Sequence, residues 1–293
     1  MPRMVSALWR SLRPAQWVKN LFVLAPLVFA HRAGDSSPVS KSLLAVAIFC
    51  LTSSAVYLWN DVRDREADRR HPLKSRRPVA SGALPVAAAV AAAIVLGALA
   101  LAGALVLGRT FLAAVAGYLA LNVLYSYWLK HIVILDVMSI AAGFVLRVLA
   151  GAVAIEVEIS RWLVLCTTFL ALFLAFSKRR HELDQLGGES TSRRRVLEHY
   201  SAPFLDQMIN VVTASTVISY TLYAADPETA QRLGTPHLLW TVPMVLFGIF
   251  RFLYLLYLRT DAASPTESIL TDRPFVANVA LWTATVFGLI YAR

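Results

Sequence analysis

Apolar runs constrain this chain more than any other feature. Nine recur along its 293 residues, at roughly 17–31, 41–60, 84–108, 111–129, 133–154, 160–180, 203–224, 237–258 and 274–291, and most hold 18 to 25 residues. A helix of that length crosses a hydrocarbon core of about 30 Å with every backbone hydrogen bond satisfied internally. A closed barrel is the other solution, but it needs strands of alternating polarity, and no such alternation runs through these segments. The hydrophobic fraction of 58% and the mean hydropathy of +0.60 agree. The expectation is an all-α, polytopic membrane protein with nine transmembrane helices in a bundle, forming a single domain over 1–293.

Charge divides the loops unequally. With nine spans, one face of the membrane carries 20 Lys and Arg and the other six, while Arg147 and Arg251 fall inside spans. The positive-inside rule places the basic face, with the N-terminus, in the cytoplasm of a cell membrane. A net charge of +10 is then explained by topology and by attraction to anionic lipid. No nucleic-acid motif accompanies it, so nucleic acid is not an expected partner. Cys50 and Cys166 lie within apolar spans and read as small packing residues, not as a disulfide.

Topology does not explain the acids on the basic face. The passage WNDVRDREADRRHPLKSRRP, Trp59 to Pro78, gathers four acids among seven bases at the end of the second span. Asn60, Asp64 and Asp68 are spaced by four, and Asp61, Asp64 and Asp68 by three and four. If the helix continues past the membrane edge, these side chains share a face within reach of one ion. Clustered carboxylates repel unless a cation sits among them, and a hard divalent ion, Mg²⁺ above all, suits oxygen ligands shared with substrate phosphates. The alternative is a solvated helix end whose acids pair with neighbouring arginines. On the first reading Lys74, Arg76 and Arg77 take the remaining phosphate oxygens, which makes the passage one wall of a metal-diphosphate site.

Other polar groups stand at the same edge. RPAQWVKN, Arg13 to Asn20, is either an interfacial anchor or a source of phosphate ligands in Lys19 and Asn20. YSYWLKHIVILD, Tyr125 to Asp136, offers Tyr127, Lys130 and Asp136. Arg147, near the middle of the fifth span, either pairs with an acid or holds an anionic substrate group. FSKRRHELDQL, Phe176 to Leu186, sets Lys178 and Arg179 a helical turn from Glu182. His131 and His181 lack partners at zinc-ligand spacing. The chain contains no GxxxxGK[ST], GxGxxG or GxSxG, so nucleotide-hydrolysing, dinucleotide-binding and acyl-hydrolase chemistries have no motif support. Small residues between Gly97 and Leu107 suit close helix contact, within one bundle or between two copies of a homo-oligomer.

The N-x-x-x-D-x-x-x-D pattern of Asn60, Asp64 and Asp68, on the second of nine spans, resembles the first signature of the UbiA-type prenyltransferase superfamily. Its decaprenyl-phosphate phosphoribosyltransferase branch is the closer likeness. RPAQWVKNLFVLAP (13–26), NDVRDREADRRHPLKSRRPVASG (60–82), LKHIVILDV (129–137), GFVLRVLAG (143–151), SKRRHEL (177–183), SYTLYA, GIFRFLYL and SPTESILTDRPF all look like that branch. The aromatic-prenylating branches usually carry a second aspartate cluster after the sixth span. Here that place reads KRRHELD, with Glu182 the surviving carboxylate, and Tyr127 and Tyr125 stand three and five residues before Lys130 where Y-x-x-x-K is common.

The resemblance implies a UbiA-like bundle with a cytoplasmic polar site. It also implies transfer of a 5-phosphoribosyl group from phosphoribosyl diphosphate to a polyprenyl (decaprenyl) phosphate, with Mg²⁺, in the making of a cell-wall arabinan donor. Asn60, Asp61, Asp64 and Asp68 would hold the metal. Asp64, Asp68, Lys130 and Glu182 would serve catalysis, and Lys19, Asn20, Lys74, Arg76, Tyr127, Lys130, Arg147, Lys178 and Arg179 would bind substrate. The surplus of base over acid favours a donor and acceptor that bring three separate anionic groups, a diphosphate, a sugar phosphate and a lipid phosphate. The rival transfer is of a prenyl chain to an aromatic or haem acceptor. A transporter is the rival of another class, and against it the charges bunch at one membrane edge.

Overall fold

The computed structural model describes residues 2–72, 74–185, 195–258 and 271–291. Part of the SPTESILTDRPF stretch, 264–270, and Leu186 at the end of FSKRRHELDQL lie outside them. Every regular element among the described residues is helical. Twelve α-helices are described: α1 Pro2–Leu12, α2 Ala25–Phe29, α3 Ser36–Arg63, α4 Arg65–Arg70, α5 Val86–Val106, α6 Arg109–Tyr127, α7 Leu135–Ala154, α8 Arg161–Gln185, α9 Ala202–Ala225, α10 Pro227–Leu233, α11 Val242–Leu258 and α12 Arg273–Tyr291. Short 3-10 helices join several of them.

Eight of the expected spans are present as helices long and apolar enough to cross a membrane, from Ser36–Arg63 to Arg273–Tyr291. The first, at 17–31, is not. It folds as a 3-10 helix, Pro14–Leu24, followed by the five-residue α2. Pro26 lacks an N–H, and the Ala25 N–H reaches Phe22 O in the tighter pattern. Hydropathy registers neither effect, so the expected count of nine spans falls to eight among the described residues.

The chain divides into two compact units, Met1–Leu27 with Arg32–Ile159, and Val28–His31 with Ser160–Arg293. In the first, α3 is the central element and packs on α5, α6, α7 and the 3-10 helix. Small residues make this possible. Ala100 and Ala104 of α5 are fully buried, and a Cβ on Gly103 would meet Ile48 of α3 at 3.4 Å. Part of the small-residue face between Gly97 and Leu107 is thus used inside the chain. Phe49 of α3 meets Phe111 and Tyr118 of α6 edge to face, with centroids 6.2 and 5.4 Å away.

The 3-10 helix lies so close to α7 that a Cβ on Gly151 would stand 2.0 Å from Val23 O. That approach brings Asn20 to Arg147. A second cluster, Ala7, Leu58, Val79, Leu84, Ala89 and Ala93, clamps the loop after Arg77 between α1, α3 and α5.

In the second unit α8 packs on α9, and α11 on α12. Tyr220, Tyr223, Leu233, Leu238, Val286 and Ile290 form its core, against which Phe29 and Trp162 pack. The Tyr220 hydroxyl joins Thr241 Oγ1 at 2.7 Å and accepts from Trp282 Nε1 at 3.0 Å, which satisfies its polar tip inside an apolar cluster.

Candidate functional site

The second span does run past its apolar segment, to Arg63, and breaks at Asp64 (φ −92°, ψ 7°) before α4. The break is shallow. Asp64 N–H bonds Asn60 O, and Asp68 N–H bonds Asp64 O, both at 2.8 Å. Seven residues of helix come back to within about 20° of their start, whereas eight overshoot by about 80°. Asp61 and Asp68 therefore share one side, and Asn60 and Asp64 face another. The four-residue spacing predicts one convergent set of Asn60, Asp64 and Asp68; the structure divides the polar groups into two pairs.

Each pair has its own bases or donors. Arg77 Nη1 donates to Asp68 Oδ2 at 2.7 Å and to Asp61 Oδ1 at 3.3 Å, and Arg13 Nη2 also donates to Asp61 Oδ1. Opposite, Lys130 Nζ donates to Asp64 Oδ1 at 2.6 Å, and the buried Ser126 hydroxyl hydrogen-bonds Asn60 Oδ1. Asp61 and Asp68 are only 2% and 5% exposed, so these cations neutralise charge that water barely reaches. Arg13 adopts left-handed backbone angles (φ 55°, ψ 60°) where α1 turns into the 3-10 helix, a conformation costing about 1–2 kcal/mol in a non-glycine residue. Its guanidinium also lies over the Tyr57 ring, 4.9 Å from the centroid. Ile134, β-branched and at φ 71°, makes a similar strained turn between the 3-10 helix carrying Lys130 and the start of α7.

Of the remaining expected phosphate ligands in this unit, Lys74 is half-buried and Arg76 exposed, both on the 3-10 turn Lys74–Arg76. The Tyr127 ring is covered by the Arg63 guanidinium, 4.6 Å from the centroid. Arg147 resolves its two alternatives in part: no carboxylate among the described residues pairs with it. Its Nε donates to Asn20 Oδ1 (2.9 Å), Nη1 to Gly143 O (2.9 Å) and Nη2 to Tyr118 Oη (2.7 Å). Neutral acceptors and the Tyr118 and Phe144 rings thus hold a cation that is 5% exposed. Asn20 donates onward to Ser53 Oγ at 3.2 Å. Lys19, half-buried on the same 3-10 helix, adds a second positive charge beside this network.

The second unit holds its own cluster. Arg179, 1% exposed, donates to Glu182 Oε2 at 2.6 Å, and Lys178 Nζ lies 4.0 Å from Glu182 Oε1. Arg180 Nε donates to Asp206 Oδ1 at 2.8 Å, which also accepts from Tyr257 Oη at 2.8 Å. Glu182 is therefore already engaged by the two bases expected to bind phosphate.

Arg13, Tyr118 and Ser126 are absent from the sequence expectations. Arg13 reads there as one more topological base, and Ser126 as one hydroxyl within a span. The one available signal was polarity, since Tyr118, Asn122 and Ser126 repeat every four residues along α6. Among the described residues, no three His, Cys, Asp or Glu side chains gather as a metal cage. The oxygen donors still fit Mg²⁺, which is typically held through one or two carboxylates with substrate phosphates and water completing its shell. Asp61 and Asp68 already converge on one cationic nitrogen.

The UbiA prenyltransferase family profile matches residues 21–271. The chain belongs to the UbiA family. This UbiA protein is 34% identical to the decaprenyl-phosphate phosphoribosyltransferase of Mycolicibacterium smegmatis, over 98% of this chain and 93% of the relative. It is also 34% identical to the enzyme of that name from Mycobacterium tuberculosis, over 97% and 94%. A UbiA homolog from Archaeoglobus fulgidus bound to GPP and Mg²⁺ superposes with a TM-score of 0.71 at 22% identity, over 97% of this chain and 99% of that one. That likeness establishes the helical UbiA fold.

Proposed function

We propose that this UbiA protein transfers a 5-phosphoribosyl group from phosphoribosyl diphosphate to a polyprenyl phosphate and releases diphosphate, as a step toward a cell-wall arabinan donor. The observation that carries the reading is the 34% identity, over nearly the whole of both chains, to relatives named decaprenyl-phosphate phosphoribosyltransferase. The distribution of charge supports it. The carboxylates of Asp61, Asp64 and Asp68 are matched by Arg13, Arg77 and Lys130, while Arg76, Lys19 and the neutral-bonded Arg147 add positive charge around them. A donor with two phosphate-bearing ends and a lipid phosphate acceptor would use that added charge.

On this reading the Asp61–Asp68 pair would hold a divalent ion, Mg²⁺ by donor chemistry, at the donor diphosphate, with Asn60 and Asp64 lining the adjoining face beside Lys130. Bound there, such an ion would supply Lewis acidity that withdraws charge from the leaving group. Lys130, Arg76 and Lys74 bind diphosphate oxygens, and Lys19 and Arg147 an acceptor or donor phosphate; in the second unit Lys178 and Arg179 are by themselves a candidate phosphate-binding pair. Asp64 orients Lys130 through their 2.6 Å contact, and Glu182 orients Arg179. As the C1–O bond breaks, its electron pair leaves with diphosphate and positive charge builds on the ribosyl ring, as in glycoside transfer. A lipid phosphate oxygen then bonds to C1. That oxygen is already anionic near neutral pH, so no base is needed, and preset cations supply most of the rate. The site faces the cytoplasm, where positive-inside charge places it.

The test is incubation of the purified protein with labelled phosphoribosyl diphosphate, Mg²⁺ and polyprenyl phosphate. The expected product is a labelled lipid whose formation stops with chelator. Absence of any labelled lipid, or transfer only from a prenyl diphosphate donor, would sink the proposal.

A further inference from the structure

Two carboxylates as buried as those of Asp61 and Asp68 strongly disfavour each other's charge unless a cation lies between them. Arg77 is that cation: a single nitrogen, Nη1, reaches Asp68 Oδ2 at 2.7 Å and Asp61 Oδ1 at 3.3 Å. The backbone around it is held firmly. Val79, Ala80 and Leu84 are buried, Leu84 N–H bonds Pro78 O at 2.9 Å, and Arg69 Nε donates to Ala80 O at 3.0 Å. The side chain is not so enclosed. It is 29% exposed on a long flexible stem, while the side chains of the two acids it bridges are 2% and 7% exposed. Asp61 keeps Arg13 as a second partner, whereas Arg77 is the cation joining the two acids.

A divalent ion and the Arg77 guanidinium compete for the same two oxygens, because both need the negative charge of Asp61 and Asp68. Resting on the metal assignment proposed above, we propose that Arg77 is an exchangeable internal cation: it holds the Asp61–Asp68 pair in the metal-free protein, and metal entry releases it onto the diphosphate of the donor. The released group is suited to that second task, since a planar guanidinium matches phosphate oxygens in a bidentate pair. The device couples the two ligands. Metal alone binds weakly because it must displace a built-in cation; a donor that captures the displaced Arg77 makes metal binding tighter, and by linkage metal makes donor binding tighter by the same factor.

The experiment uses the full-length protein in detergent micelles, with Mn²⁺ as the probe and its free-ion paramagnetic resonance signal as the readout, in the absence of donor. Arg77→Met is expected to bind Mn²⁺ on the order of ten-fold tighter than the wild type, and Arg77→Lys close to the wild type. In turnover, Arg77→Met raises the donor KM. A merely structural arginine predicts the opposite for the metal, because loss of the bridge would spoil the site for both ligands. Should Arg77→Met fail to yield monodisperse protein, Arg77→Gln, which keeps hydrogen-bond donors without charge, carries the same expectation. Mn²⁺ binding that is unchanged or weaker in the folded neutral variant overturns the exchange. Asp68→Asn separates the two readings. Binding lost in Asp68→Asn yet no tighter in Arg77→Met removes the exchange and leaves the metal assignment; binding indifferent to Asp68→Asn removes both.

Discussion

Asp64 and Asp68 are four residues apart and meet different cations, Lys130 and Arg77. Neither cation is a sequence neighbour of the acid it meets at helical spacing, which is why the pairing was not legible beforehand, although Asn60, Asp61, Asp64 and Asp68 were. Replacing Asp64 or Asp68 by Asn keeps the shape and removes one charge. Each change is expected to lower transfer roughly 10²–10³-fold, the usual scale for a group acting on transition-state charge, with product measured as labelled lipid. Activity within a few-fold of wild type in both would remove them from the site. Asn20→Ala acts on stability instead. It strips the Arg147 Nε of its 2.9 Å acceptor in a buried setting, an expected loss of about 1–3 kcal/mol, readable as a lowered denaturation midpoint in micelles. Arg147 itself stood out from sequence as a charge inside a span; its neutral partners did not, because Asn20 and Tyr118 are 127 and 29 residues away from it.

At the scale of elements, α3, α5–α9, α11 and α12 are readable from apolar length, with α10 and the 3-10 turns as additions at span ends. The segment at 17–31 reads as a span from its apolar content but is not among the helices long and apolar enough to cross a membrane, since hydropathy ignores Pro26 and the near contact with α7. Two glycine substitutions separate close approach from mere flexibility. Gly151→Ala puts a methyl into Val23 O, and the expected cost is about 3 kcal/mol or more, at the upper end for overpacking. Gly97→Ala, where nothing lies within 4 Å of the added Cβ, is expected to stabilise α5 by about 0.5–1 kcal/mol. Thermal unfolding of the two variants side by side checks both signs. Equal effects would mean that the α7 contact with the 3-10 helix does not constrain the fold.

For the whole molecule, 20 bases against six between the two expected faces predict an orientation. Glu66, whose side chain is 70% exposed, sits within the charged passage and outside every assigned role. A Glu66→Cys variant is expected to react with a membrane-impermeant maleimide only after cells are permeabilised, against the wild-type chain as background. Labelling of intact cells would reverse the orientation and put the polar site on the outer side.

Sequence alone determined the membrane class, the helical architecture, the superfamily likeness and most of the charged residues of the candidate site. These depend on local quantities: apolar run length against bilayer thickness, and residue types at fixed spacing. Tertiary structure decided the rest. It split the acids into two pairs, set Arg77 and Arg13 on one and Lys130 on the other, gave Arg147 neutral partners, and made a 3-10 helix where apolar content predicts a span. Each of those outcomes turns on which distant side chain fills the space beside a given one, and the split of the acids also on the roughly 100° of rotation that separates seven residues of helix from eight.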